Sequence, residues 1–335
     1  IESAEIIKAL ENMAGKLSAA RRRHGLSQEN LEQWLLGGGQ SGELGELFAQ
    51  FVEQHGHRCV REVELREKPW SDDLTEVLHT LWLMSEEATA EKNTSIYDGP
   101  RIIEPLVAEY PKLSRGALSK ISDLARGGVR KREYTKAIII KMSSFIRAAY
   151  RSLASMLVSD GVLPDEDLVF FFTHQELAVL SGEAPNPQLV ARAHHRRRNY
   201  PEQMELRFPD FCKGIPVPME APTEGLDAGT TYSGMAVSPG KARGNVRVVL
   251  SKSDAAAMEP GEIMVARFTD VGWTPYYGIA AGLITEIGSS LSHGAVVARE
   301  YGLPLVSNME NATLLLKTGD KIEINGTTGE IRLLN

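Results

Sequence analysis

The chain has 335 residues, and its 37 Lys and Arg against 44 Asp and Glu give a formal net charge of −7. This length predicts two or three domains of about 100–200 residues each. The acidic balance argues against nucleic-acid binding, which requires a basic face. The longest apolar run, residues 168–172, is far shorter than the roughly 20 residues of a membrane span. Two cysteines cannot form a disulfide framework, so we expect a reducing, cytoplasmic location.

The composition of the chain changes near residue 225. The last 110 residues contain 14 of the 30 glycines, twice the density of the preceding part. Residues 213–229, at this change, are rich in Pro and Gly, which predicts an extended interdomain linker. We therefore predict a helical domain at 1–212, a hinge linker at 213–229 and a second domain at 230–335.

Apolar residues at three- and four-residue spacing predict helices in the first domain. The predicted helices are Ile1–Arg23, Leu31–His55, Leu74–Ala90, Ile102–Glu109, Ser119–Ala125 and Arg132–Val158. Gly127-Gly128 and Asp160-Gly161 predict loops, and Thr173 with Glu176 forms a capping box. The glycine-rich segment 36–42 has no strand before it, so a turn between helices is favoured over a phosphate-binding loop.

The second domain alternates short apolar strands with short helices. The predicted strands are Asn245–Leu250, Glu262–Phe268, Leu283–Ile287, Leu305–Asn308, Lys321–Ile324 and Glu330–Leu333, and the predicted helices are Pro275–Ala281 and His293–Tyr301. Asn325-Gly326 indicates a hairpin between the last two strands. The fold class is therefore α+β multidomain, with a mostly α-helical domain followed by a mixed α/β domain.

His293 is the one histidine in residues 226–335, and it follows a strand and a Gly/Ser loop. Ser292 is suited to be the N-cap of the next helix, which Gly302 and Pro304 end. A helix N-terminus favours anions because unpaired N–H groups and the positive end of the helix dipole meet there. A histidine is largely neutral at pH 7, which leaves a ring nitrogen able to attack phosphorus.

Polar neighbours of His293 fit this chemistry. The hydroxyls of Ser289, Ser290 or Ser292 would hold a phosphoryl group, and Glu286 is the nearest acid to orient the ring. We predict no metal site here, because no Cys or second His lies nearby in the sequence. The alternative is a structural histidine packed against a loop, and the spacing alone leaves both interpretations open.

The segment Thr285–Pro304, which reads Thr-Glu-Ile-Gly-Ser-Ser-Leu-Ser-His-Gly and onward, resembles the phosphohistidine signature of the phosphoenolpyruvate-utilising enzymes. That family includes phosphoenolpyruvate synthase, pyruvate phosphate dikinase and rifampicin phosphotransferase. The resemblance continues in Thr269–Pro275 and Gly326–Gly329, and Ser289 departs from it by replacing a second glycine. It implies that His293 is transiently phosphorylated. The residues it implies for holding or orienting the phosphoryl group are Thr285, Glu286, Ser290, Ser292 and Gly294.

The resemblance also implies a swivelling β/β/α phosphohistidine domain that collects a phosphoryl group at a nucleotide site and delivers it to an acceptor. Residues 213–229 would be its hinge. ATP and Mg²⁺ are then expected on an N-terminal ATP-binding domain, in the same precursor or on a separate chain, because no such domain is recognisable here. Ile1 in place of a starting Met fits a fragment or a processed product.

The helical domain resembles, more loosely, the middle region of rifampicin phosphotransferase. The segments that carry this resemblance are Phe51–Arg58, Trp70–Asp73, Arg132–Arg147 and Leu163–Leu177. It implies that the helical domain binds a small, apolar acceptor with a hydroxyl group.

Four residues of the helical domain are candidate contacts for the acceptor or the phosphoryl group. Arg192 and Arg196 lie four apart on one helical face, and His57 and Arg58 are adjacent. A solvated helix face is the alternative for the basic stretch 194–198. For His57 with its neighbour at position 55, the alternatives are a packed loop or a metal pair that lacks a third ligand.

The leading interpretation is part of an ATP-dependent phosphotransferase of the paired-acceptor dikinase type, with a phosphohistidine intermediate. Transfer to pyruvate, a non-catalytic regulatory or binding relative, and a helical protein that binds apolar ligands are the alternatives. We expect neither nucleic acid nor a membrane as a partner.

Overall fold

The computed structural model describes residues 2–37, 41–87, 112–182, 186–209, 211–219 and 231–334. Before residue 220 the described part of the chain is helical. Its helices are α1 Glu2–His24, α2 Gln28–Leu36, α3 Gly42–His55, α4 Thr75–Glu87, α5 Lys112–Ser159, α6 His174–Gly182 and α7 Pro187–Glu205, with a 3-10 helix at Glu166–Phe171. No helix among the described residues is both long and apolar enough to cross a membrane.

After residue 230 the described residues alternate between strands and short helices. The strands are β1 Thr231–Ser233, β2 Met235–Ser238, β3 Lys241–Val249, β4 Ile263–Ala266, β5 Gly282–Thr285, β6 Leu305–Ser307, β7 Lys321–Asn325 and β8 Glu330–Leu333. The helices between them are α8 Lys252–Ala256, α9 Thr274–Tyr277, α10 His293–Tyr301 and α11 Ala312–Leu315, with a 3-10 turn at Val271–Trp273. The predicted fold class, a helical region followed by an α/β region, is confirmed.

The described strands form one sheet in the order β1-β8-β7-β3-β4-β5-β6-β2. The central strands β3, β4, β5 and β6 are parallel, with Val248 opposite Val265 and Val265 opposite Ile284. The outer pairings are antiparallel. Because β4, β5 and β6 are parallel, their carboxyl ends lie at one edge of the sheet, and the loops that follow them are neighbours.

Most predicted helices are confirmed within a few residues, but two boundaries differ. The predicted helix Leu31–His55 is two helices, α2 and α3, which flank the glycine-rich segment 36–42. The predicted loop at Gly127-Gly128 is wrong, because α5 continues through it without a break. Each glycine costs about 1 kcal/mol in a helix, and the helix-forming residues on both sides outweigh that cost. The predicted helix Ile102–Glu109 lies outside the described residues.

Elements that depend on pairing between distant parts of the chain are not predicted by the local sequence pattern. The sequence did not predict β1 and β2, which pair with β8 and β6 from distant parts of the chain. The predicted helix Pro275–Ala281 is the shorter α9. The capping box is confirmed, since Thr173 and Glu176 exchange both hydrogen bonds. Of the predicted hinge 213–229, the described part, 213–219, contains neither helix nor strand.

The chain divides by its contacts into two compact units. The first comprises Ile1–Glu62, Lys68–Ile140 and Glu224–Asn335, and the second comprises Val63–Glu67 and Lys141–Thr223. The first unit therefore combines α1–α4 and the first part of α5 with the α/β region, a grouping that crosses the predicted linker. The domain boundaries at 212 and 230 stay predictions.

Each unit has its own hydrophobic core. In the first unit, one cluster joins Leu10 and Phe48 of the helices to Trp273, Leu283 and Val297 of the α/β region. In the second unit, the apolar run 168–172 packs against α5, as its composition predicted. Helical and α/β residues of the first unit thus share a core that excludes water.

We predict that Gly326→Ala destabilises the first unit by about 1–3 kcal/mol, because its Cβ would overlap the backbone carbonyl of Ser238. Gly128→Ala is the matched control, since a Cβ at that helical position meets no atom within 4 Å and alanine favours the helix. Urea denaturation of this chain measures both changes. An unaltered midpoint for Gly326→Ala would contradict the close packing of the hairpin against β2.

Candidate functional site

His293 is the first residue of α10, at the sheet edge where the carboxyl ends of the parallel strands meet. Ser292 is its N-cap, and the hydroxyl oxygen accepts a hydrogen bond from the Ala295 N–H at 3.4 Å. Gly302 ends the helix with a φ of 64°. The left-handed conformation favours glycine, so both predicted ends of this helix are confirmed.

The imidazole of His293 is buried, with an exposed fraction of 5 %. Its Nε2 atom lies 3.3 Å from Oγ1 of Thr274, which is itself fully buried. The next residue, Gly294, leaves no room for a side chain, because a Cβ would lie 2.5 Å from Oγ1 of Thr269. The loop after β4 and the first turn of α10 therefore hold the ring between them.

Positive charges of the helical region act on this ring. Burial, together with charge repulsion from Lys136, Arg58 and Arg132, lowers the pKa of His293 to about 3. The ring is therefore neutral at physiological pH and retains a nitrogen lone pair. The same cations would attract an anion bound at His293.

A buried polar chain connects one of these cations to the loop after β4. Arg58 donates to the Glu62 carboxylate at 2.6 Å, and both side chains are almost completely buried. The Glu62 N–H donates to Oδ2 of Asp270 at 3.2 Å, and Oδ1 of the same aspartate accepts from the Gly272 N–H at 3.0 Å. Burial and the nearby Glu62 raise the pKa of Asp270 to about 7.

The structure gives specific partners to the predicted neighbours of His293. The hydroxyl of Thr285 lies 2.7 Å from that of Ser307, and the Glu286 carboxylate accepts two hydrogen bonds from Thr313. Ser289 and Ser290 are exposed in the loop before α10. The phosphoryl-holding or orienting roles of Thr285, Glu286, Ser290, Ser292 and Gly294 stay predictions.

Arg192 and Arg196 lie in the second compact unit, whereas His293 lies in the first. Both guanidinium groups donate to the carboxylate of Glu176. Arg192 donates one hydrogen bond at 2.9 Å, and Arg196 donates two, at 2.5 and 3.0 Å. These partners lower the pKa of Glu176 to about 2. The observed role of this basic face is an ion-pair network within its own unit.

The two histidines before Arg58 lie at the end of α3. His55 is buried against the ring of Phe51, and burial lowers its pKa to about 4. His57 is partly buried. Within the described ranges, no group of three or more His, Cys, Asp or Glu side chains could hold a metal ion.

Thr274, Lys136 and Arg132 act on His293 in the structure, but the sequence pattern predicted no function for them. All three lie in segments that carry the family resemblance. The i, i+4 spacing of the two cations on α5 was the available signal. Their proximity to His293 depends on the packing of α5, which the sequence pattern does not reveal.

Residues 258–329, which include His293 and Thr274, match the family model of the PEP-utilising enzyme mobile domain. Residues 1–146, which include Arg58, Arg132 and Lys136, match the rifampicin phosphotransferase fourth domain. The predicted family resemblance is confirmed. The groups around the imidazole therefore come from both matched regions, called here the mobile domain and the fourth domain.

Similar proteins align with most of the chain. It is 30% identical to the prodigiosin synthesizing transferase PigC of Serratia marcescens, over 85% of this chain and 33% of that protein. It is 32% identical to a rifampicin phosphotransferase of Streptomyces sp, over 88% of this chain and 35% of that protein. It is 31% identical to the rifampicin phosphotransferase of Bacillus subtilis (strain 168), over 84% of this chain and 34% of that protein. The chain spans about a third of the length of these curated relatives.

We predict that the ring resonances of His293 do not titrate between pH 8 and pH 5 in nuclear magnetic resonance spectra of this chain. The folded ring has a pKa of about 3, whereas the unfolded ring has the ordinary histidine pKa of 6.5. The unfolded state therefore takes up the proton first, and the contribution of His293 to stability decreases as the pH falls below about 6.5.

Lys136→Met should raise the pKa of His293, because it removes one of the repelling charges. A wild-type titration midpoint near 6.5 would contradict a buried ring surrounded by cations.

Proposed function

We propose that this chain carries the phosphohistidine and acceptor half of an ATP-dependent phosphotransferase, with His293 as the residue that is transiently phosphorylated. The observation that carries the proposal is a buried, neutral imidazole at a helix N-terminus, with Arg58, Arg132 and Lys136 of the fourth domain close enough to lower its pKa. The similarity to rifampicin phosphotransferases over most of the chain supports the same reaction class.

The proposed reaction has two steps that share one intermediate. In the first, a ring nitrogen of His293 attacks the β-phosphorus of ATP, a P–N bond forms, the P–O bond to AMP breaks, and the ring releases its N–H proton. Water then removes the γ-phosphoryl group as phosphate, which leaves one phosphoryl group on the ring. In the second, the hydroxyl oxygen of the acceptor attacks that phosphorus, and the P–N bond breaks. The electron pair returns to the imidazole, which takes up the proton lost by the acceptor. ATP and Mg²⁺ belong to the nucleotide-binding domain that the family resemblance implies.

The cations of the fourth domain suit the second step. Charge on the phosphoryl oxygens is stabilised by fixed positive groups in a site that excludes water. Lys136 and Arg132 lie one turn apart on α5, so both face the same side of that helix. In the proposal, both cations stabilise the phosphoryl group during transfer to the acceptor.

An apolar acceptor is supported by the same face of α5. Ile121 and Ile139 lie at helical spacing before and after the two cations, and both side chains are more than half exposed. A large exposed isoleucine next to a charged reaction centre favours a ligand with an apolar body. We propose a small, apolar, hydroxyl-bearing molecule, with rifampicin as the first compound to test because of the relatives' activity.

We predict that this chain, together with the ATP-binding domain that the proposal implies in the same precursor or on a separate chain, acquires one acid-labile, base-stable phosphoryl group from β-labelled ATP. His293→Ala should abolish this label, because no other ring would occupy the same position. Peptide mapping of the labelled protein measures the site. Retention of the label in His293→Ala would eliminate the proposal, whereas label that is lost only with His293 supports it.

We predict that Lys136→Met slows discharge of the phosphorylated protein by its acceptor about a hundredfold, because a charge that stabilises the transferring group is removed. The rate of labelling by ATP should change little. The measurement is loss of label from isolated phosphoprotein after addition of rifampicin, and in a separate arm after addition of pyruvate.

Lys120→Met is the control for this prediction, because Lys120 is an exposed residue of the same helix. An unchanged discharge rate in Lys136→Met would contradict the role of the α5 cations. Discharge by pyruvate instead of rifampicin would favour the phosphoenolpyruvate-forming alternative.

A further inference from the structure

The loop from Thr269 to Thr274, called here the docking loop, connects β4 to α9 and contacts His293 on one side. Oγ1 of Thr274 is the group 3.3 Å from Nε2, and Thr269 lies against the Cα of Gly294. Val271 and Trp273 of the same loop are buried in the core that the mobile domain shares with the fourth domain. The docking loop therefore touches the proposed phosphorylation site and the fourth domain at once.

Gly272 lies at the tightest point of this contact. A Cβ at this position would overlap the carbonyl group of Cys59 and the nitrogen of Val60. The three atoms nearest to that Cβ all belong to the fourth domain, and none belongs to the mobile domain itself. Its backbone φ is not in the left-handed region. Close approach of the two domains, and not backbone conformation, is what requires a glycine here.

Asp270 fixes the position of the same contact. Its carboxylate accepts from the Glu62 N–H of the fourth domain and from the Gly272 N–H of its own loop. Glu62 is the partner of Arg58, one of the cations that act on His293. A shift of the docking loop would therefore move Thr274 and Arg58, which both act on the imidazole, relative to each other.

The contact can serve only one of the two proposed steps. With an exposed fraction of 5 %, His293 is enclosed while the docking loop lies on residues 59–62. A nucleotide site on another domain can reach the ring only after this contact has opened. The cations that act on the ring belong to the fourth domain, which is the acceptor side in the proposed function.

We propose that the docking loop is the element by which the mobile domain recognises the fourth domain in the acceptor step, and that Gly272 is the position that determines this recognition. Gly272 and Asp270 are positioning residues, since they act through Thr274 and Arg58. This proposal rests on the proposed function, because it assumes labelling by ATP and discharge to the acceptor. The contact between the docking loop and residues 59–62 can be measured without either reaction.

The test compares Gly272→Ala with wild type in two ways. Hydrogen exchange in this chain reports the contact, and we expect the Glu62 amide to exchange at least about tenfold faster, because its partner Asp270 is displaced. In the presence of the proposed ATP-binding domain, labelling of His293 by ATP should stay within about twofold of wild type. Discharge to the acceptor should fall about a hundredfold, as expected for a misplacement of about 1 Å.

Two further variants make the result specific. Asp270→Asn keeps the size of the side chain and one acceptor oxygen, so we expect the same changes in the same direction but smaller. Gly128→Ala adds a methyl group to α5 of the fourth domain without a neighbour within 4 Å, and it should leave exchange at Glu62, labelling and discharge unchanged.

The outcomes separate the two proposals. Unchanged exchange at Glu62, or unchanged discharge, in Gly272→Ala would overturn the docking role. An equal loss of labelling and discharge would also overturn it, because Gly272 would then serve the fold of the mobile domain. If wild-type protein takes no label from ATP, the proposed function fails, and exchange at Glu62 still decides whether Gly272 and Asp270 hold the two domains together.

Discussion

The burial of an uncharged imidazole among cations is the constraint on which the site depends. His293 can be enclosed at little cost because the neutral ring carries no charge to desolvate, and burial itself is the largest cause of its lowered pKa. Lys136, Arg58 and Arg132 add to this effect, since each would repel a protonated ring. A phosphoryl group on the same ring reverses the sign, and the three cations would then attract it. The arrangement therefore disfavours the imidazolium and favours the anion.

Close backbone contacts place this ring where the two matched domains meet. Gly294 allows Thr269 to approach the first turn of α10, and Gly288 allows the hydroxyl of Ser307 to approach the loop before it. Gly272 allows the docking loop to lie on the backbone at Cys59. Each glycine is explained by a neighbour that is distant in sequence. At these three positions, the absence of a side chain lets the loops at the sheet edge pack closely against their neighbours.

Two cores stabilise this arrangement on the two faces of the sheet. One includes Val246, Ile263 and Ile324 and belongs to the α/β region. The other continues from the sheet through Trp273 and Tyr276 into the helices of the fourth domain. Tyr276 is fully buried, and burial raises the pKa of its hydroxyl above the ordinary value, so it remains neutral in this core. Apolar burial thus supports the contact that brings the cations to His293.

Much of the secondary structure follows from local pattern alone. The strands around β4 and β5, the N-cap at Ser292 and the end of α10 at Gly302 depend on residues next to them in the sequence, so they could be predicted. The break at Gly127-Gly128 was predicted wrongly, because the weak local preference of two glycines was weighed without the long helix around them. The strands β1 and β2 were missed because each is short and pairs with a distant strand.

Local sequence is enough to predict that His293 begins a helix after a Gly/Ser loop, and to identify the family that its signature resembles. It also assigned Arg192 and Arg196 a candidate role, but the structure pairs both with Glu176. The contact of Thr274 with the imidazole, and the effect of Arg58, Arg132 and Lys136 on its pKa, depend on how distant segments pack. Helix and strand periodicity could not predict them, because it constrains only a residue and its near neighbours. The charge around a buried ring depends on which distant segments pack against it.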